Sequence, residues 1–135
     1  MTRSPLPIIA LAAVLLLVVL AIASFGGDGT VRSERPALRL AVDEYRINPQ
    51  DVSVPPGRLK FVVRNTGRLT HNLVIEIEPG DPEAPPIEVG RVDTMQPGET
   101  ADPIKLTLQA REYQLRCTIA NHDDLGQYGT LVVEE

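Results

Sequence analysis

Few residues in this chain are equipped for chemistry. There is one cysteine, Cys117, and there are two histidines, His71 and His122. A thiolate and two imidazoles are metal ligands. Cys117 and His122 share one segment, spaced Cys117-x-x-x-x-His122-x-x-x-x-Gln127, and a short apolar run occupies 129–133. One soft thiolate, two imidazoles and a weak amide oxygen form the donor set of a mononuclear blue-copper centre. Taken singly, each residue has a plainer reading. Cys117 could be an inert buried thiol, either histidine a structural or surface residue, and Gln127 a solvated loop amide. Only their joint placement favours a metal site.

These side chains need a scaffold that brings residue 71 to residues 117–127. Beyond Pro36 the chain alternates in short runs. Leu38 and Leu40, Phe61 and Val63, Leu73, Ile75 and Ile77, Leu106 and Leu108, Tyr113 and Leu115, and Leu131 and Val133 each repeat every second residue. Such a period marks strands with one buried face, so Glu76 and Glu78 are expected on a solvent-facing side. Pro55-Pro56-Gly57, Asn65-Thr66-Gly67, Pro79-Gly80-Asp81-Pro82 and Gln96-Pro97-Gly98 are turn sequences. The segment 79–87 holds four prolines and reads as a surface loop. The pattern predicts an all-β sandwich of about seven or eight strands. His71 shares the parity of Leu73 and Ile75 as its run begins. Cys117 shares the parity of Tyr113 and Leu115 as its run ends. If those two strands are neighbours, both side chains meet at one end of the sandwich.

The N-terminus has a different character. Leu6–Ala23 carries no charge and comes after Arg3. Ala21-Ile22-Ala23 fits a small-x-small cleavage site, and the run is also about as long as a bilayer requires, roughly 18–20 residues. Residues 1–23 therefore read as an apolar helix that is either a signal peptide or a membrane anchor, with anchoring through residues 6–23. Both readings export the C-terminal part of the chain. Residues 24–36 read as a flexible linker, and 37–135 as the folded domain.

Composition excludes several classes. The formal net charge is −5, with no long basic run and no aromatic ladder, which argues against nucleic-acid binding. A single cysteine forms no internal disulfide, and a lone thiol in an exported protein must be buried or bound. No phosphate-binding glycine loop is visible. A Ser-His-Asp arrangement would take a histidine from the metal set. Asp123 and Asp124, beside His122, form either a solvated loop or an acidic rim for a cationic partner.

The chain resembles the cupredoxins over residues 37–135. The family's early Asn-x-Gly-x-x-x-His-Asn is matched by Asn65-Thr66-Gly67-Arg68-Leu69-Thr70-His71-Asn72. Its late cysteine-loop-histidine-loop-axial pattern is matched by Cys117, His122 and Gln127. The wording Asp124-Leu125-Gly126-Gln127 looks like the stellacyanin-type phytocyanins, whose axial ligand is glutamine. The final strand looks more like bacterial cupredoxin domains, and the phytocyanin disulfide is absent. The usual axial methionine is missing; Met95 lies in a separate Pro/Gly-flanked region that reads as a turn.

The resemblance implies a Greek-key cupredoxin sandwich holding one copper ion, Cu(II)/Cu(I), on His71, Cys117, His122 and Gln127. A backbone carbonyl or no axial ligand is the alternative at the last position. Asn72 would brace the cysteine loop through Thr118. Electron transfer with a redox protein partner is the implied function, and a monomer is expected. Copper storage or delivery, or a metal-free structural module, are the alternatives. The family's catalytic coppers need further histidines, so no enzyme is expected.

Overall fold

In a computed structural model of the chain, residues 30–32 and 37–135 are described. The expected signal or anchor helix of residues 1–23 and most of the 24–36 linker lie outside them. Among the described residues no helix is long and apolar enough to cross a membrane. The described residues form ten strands: β1 (Thr30–Arg32), β2 (Ala37–Asp43), β3 (Arg46–Asn48), β4 (Asp51–Val54), β5 (Gly57–Asn65), β6 (His71–Ile77), β7 (Ile87–Met95), β8 (Ile104–Leu108), β9 (Arg111–Arg116) and β10 (Tyr128–Val133).

They form two sheets, ordered β1-β4-β10-β9-β6-β7 and β3-β2-β5-β8. The pairs β1/β4, β4/β10 and β2/β5 are parallel and the others antiparallel. The core fills the space between the sheets. Leu38, Leu40 and Val42 of β2 and Leu59, Phe61 and Val63 of β5 face Leu73, Ile75, Leu115, Leu131 and Val133 of the larger sheet within one apolar cluster. The two-residue period produces this directly, since alternate side chains of a strand leave opposite faces.

The all-β sandwich is the architecture expected, with more strands than the seven or eight anticipated. β1, β3 and β4 have three or four residues each, too few for a period to register. The nine-residue β7 lacks the period for another reason. It is an edge strand whose pairing with β6 is interrupted by register shifts, and only Val92 and Met95 are buried on it. A bulge adds a residue and breaks the alternation. Met95 therefore ends a strand in the core rather than lying in a turn.

One assignment of faces is corrected. β6 lies inside its sheet and is buried on both sides over His71–Glu76. Val74, on the face opposite Leu73 and Ile75, is fully buried between Arg91 and Arg116 of the flanking strands. Glu76 is buried too, because Arg116 Nε donates to its Oε2 at 2.9 Å. An ion pair covers a strand face that alternation alone assigns to water. Glu78, just beyond β6, is exposed.

Candidate metal centre

β6 and β9 are antiparallel neighbours, with Val74 opposite Arg116 and Ile75 opposite Leu115. The beginning of one strand therefore lies beside the end of the other, and this is the condition on which His71 and Cys117 converge. His122 returns to the same place on the loop leaving Cys117. One ligand atom from each of His71, Cys117 and His122 lies within 4.8 Å of the other two, and all three residues are buried. Cys117 Sγ is 3.6 Å from His122 Nδ1. The two imidazole centroids are 5.1 Å apart.

Hydrogen-bond accounting shows which atoms are left over. His71 Nε2 is 3.2 Å from Glu44 Oε1, whereas its Nδ1 is buried with no partner. Gln127 Nε2 donates to the carbonyl oxygens of Asp43 at 2.9 Å and Arg46 at 3.4 Å, whereas its Oε1 is buried with no partner. Unpaired buried polar atoms cost about 1–3 kcal/mol each, and native proteins hold few of them. An open imidazole nitrogen in a cluster with a buried thiol and a second imidazole suits a bound cation. The donors are of the soft and intermediate kind that suits copper.

The loop carrying Cys117 and His122 is tied to itself and to β6. Cys117 N donates to Gln127 O at 3.1 Å, and Gln127 N to His122 O at 3.0 Å. Gly126 turns the chain at φ +116°, where a side chain would be strained. A Cβ there would also press on Tyr45 O. Asn72 Nδ2 donates to Thr118 Oγ1 at 2.9 Å, and Thr118 N donates to Asn72 Oδ1 at 2.8 Å. Arg116 clasps Glu76 on one side and Asp123 on the other, each at 2.9 Å. Asp123 is thus held by an ion pair that ties its loop to the end of β9. On the other side of the site, buried Asn65 fixes the turn before His71. Its Nδ2 donates to Leu69 O and Met95 O, and its Oδ1 accepts from Gly67 N.

Sequence reasoning missed a whole supporting element, the β2–β3 hairpin tip Asp43–Arg46. Its Glu44 reaches His71. Its Tyr45 meets His122 edge-on at 5.2 Å between ring centroids. Its Asp43 and Arg46 carbonyls hold Gln127. Glu44 Oε1 also accepts from Arg68 N at 2.6 Å and Leu69 N at 2.7 Å. The Leu69 amide, then His71 and the Arg68 amide, hold the carboxyl down to about 2, against the opposing effect of burial. Gly67 makes room for it, since a Cβ there would overlap Glu44 Oε1. No local signal marks Glu44. A charged dipeptide at a hairpin tip reads as solvated, and only the packing of one sheet on the other carries it to a residue 27 positions away.

No family model matches the chain, and no curated protein matches it either. Solved structures of similar fold do exist. Auracyanin from the photosynthetic bacterium Roseiflexus castenholzii aligns with a TM-score of 0.66 at 20% identity, over 76% of this chain and 100% of that one. Auracyanin A, a "blue" copper protein from Chloroflexus aurantiacus, aligns at 0.61 with 17% identity, over 73% and 98%. Rusticyanin from Thiobacillus ferrooxidans aligns at 0.58 with 16% identity, over 80% and 84%.

Proposed function

We propose that this chain, whose two-sheet sandwich is the cupredoxin fold, is an exported electron carrier with one copper ion on His71, Cys117 and His122 and with Gln127 as axial ligand. The observation that carries the reading is the buried His71–Cys117–His122 cluster together with partnerless His71 Nδ1 and Gln127 Oε1, which match the donor types of such a centre. When bound, copper would supply a one-electron couple between Cu(II) and Cu(I). The protein's contribution is to hold the donors fixed in both states. Asn72, Thr118, Arg116 and the hairpin tip brace the ligands from outside, which limits rearrangement between oxidation states.

No histidine is left over to bind a substrate-activating metal, which favours electron transfer over catalysis. His122 is the one histidine of the set with surface access, at 8% against 0% for His71, so an electron would leave at its edge. Leu69, in the turn before His71, and Leu125, on the loop that carries His122, are exposed and suit the rim of a contact with a redox protein. The apolar run 6–23, as a signal or an anchor, would place the 37–135 domain outside the cytoplasm, on a linker from 24 whose residues Thr30–Arg32 pair with the sheet as β1. Storage and delivery of copper require ready exchange, which buried donors on a loop bonded to itself disfavour.

The test is a titration of the purified protein with Cu(II). An intense visible band from thiolate-to-copper charge transfer is expected at one equivalent, and Cys117→Ser should abolish it. A colourless protein that prefers zinc would overturn the reading.

A further inference from the structure

The copper reading leaves one contact unexplained, the carboxylate on the outer nitrogen of His71. Glu44 stands outside the His71–Cys117–His122 cluster, and it meets His71 at Nε2 rather than at the unpartnered Nδ1. It is not a loose surface acid. Two backbone amides, Arg68 N and Leu69 N, fix Oε1 at 2.6 and 2.7 Å, and the same oxygen meets His71 Nε2 at 3.2 Å. The His71 side chain is fully buried and that of Glu44 is 30% exposed. Gly67 supplies the space for the carboxylate.

We infer that Glu44 is a positioning residue which keeps the His71 proton on Nε2, leaves Nδ1 as the donor atom, and biases the bound copper toward its oxidised form. Only the redox half of this inference rests on the copper reading. The tautomer half rests on the chemistry of the contact. A carboxylate can only accept from the imidazole, so Nε2 carries the hydrogen, and in the neutral ring Nδ1 then has the lone pair. Nδ1 is the buried atom found without a partner. The redox half rests on charge. A fixed anion hydrogen-bonded to a buried ligand makes that ligand a stronger donor. It also favours the higher positive charge on the metal, and burial weakens the screening that would otherwise mute it. Glu44 therefore lowers the tendency of the centre to accept an electron.

Two variants separate charge from scaffolding. Glu44→Gln keeps an oxygen that accepts from His71, Arg68 and Leu69 and removes only the charge. Glu44→Ala removes the acceptor as well. Imidazole 15N shifts of the metal-free full chain report the tautomer whether or not copper binds. His71 should be protonated at Nε2 in the wild type and in Glu44→Gln, and should become a mixture of tautomers in Glu44→Ala. In the copper-loaded protein, Glu44→Gln should have a higher reduction potential than the wild type. Glu44→Ala should bind Cu(II) about 10–100-fold more weakly. Wild-type His71 protonated at Nδ1, or a Glu44→Gln potential equal to or below the wild type, overturns the inference. A protein that takes up no copper overturns the electron-carrier reading and the redox half with it, while the 15N measurement still decides the tautomer half.

Discussion

Asn72 and Thr118, 46 positions apart, exchange two hydrogen bonds, Nδ2 to Oγ1 at 2.9 Å and N to Oδ1 at 2.8 Å. The pair closes the angle between the strand that presents His71 and the loop that presents Cys117, Asn72 following His71 and Thr118 following Cys117 directly in the chain. Because one bond uses the Thr118 backbone, the position of the cysteine loop depends on the Asn72 side chain.

Asn72→Ala should therefore weaken copper affinity by about 10–100-fold while the sandwich stays folded. Competition with a calibrated chelator measures the first, and far-ultraviolet circular dichroism checks the second. Unchanged affinity would show that the link is structural only.

Gln127→Met should raise the reduction potential. An amide oxygen is a harder donor than a thioether and favours Cu(II), whereas sulfur favours Cu(I). Methionine cannot donate to the Asp43 and Arg46 carbonyls as Gln127 Nε2 does. A stability loss of about 1–2 kcal/mol should accompany the redox change. Redox titration and urea unfolding read the two effects. A potential that stays level or falls would remove Gln127 from the ligand set.

Arg116→Ala should destabilise the apo protein by about 1–3 kcal/mol, since it leaves the Glu76 carboxylate buried without its partner. The Arg116 side chain is 35% exposed, so the figure lies below that for a fully buried pair. Glu76→Gln in the Arg116→Ala background should recover part of the loss, because a neutral amide is cheaper to bury. Denaturant midpoints of the four proteins in this cycle give the coupling, and additive losses would contradict it.

Gly67→Ala should act on the centre from a distance. Its Cβ would overlap Glu44 Oε1 and press on the Asp43 backbone, so the hairpin tip must shift. Overpacking of this kind costs about 1–3 kcal/mol. The same shift should disturb the Glu44–His71 contact, so the variant should also move the potential. A variant that melts at the wild-type temperature with an unaltered potential would show that the tip yields freely.

The sequence alone determined those features whose signal is local. Period-two runs such as Leu38–Val42 and Arg58–Asn65 declare a strand and its buried face, because alternate side chains leave a strand on opposite sides. The only cysteine and the only two histidines, with His71 and Cys117 at the ends of such runs and His122 five residues on from Cys117, declare a candidate centre before any contact is known. Tertiary structure decided what depends on neighbours. Glu76 has the sequence signature of an outward residue, yet the position of β9 beside β6 gives it Arg116 and buries it. Edge position and bulges in β7 erased the period that would have revealed that strand. Glu44 and Tyr45 belong to a hairpin in the smaller sheet, and nothing in their own segment refers to His71 or His122. They reach the site because the apolar faces of the two sheets must be buried against each other. That burial is driven by the whole core, so its consequences for any one polar pair cannot be read from the pair itself.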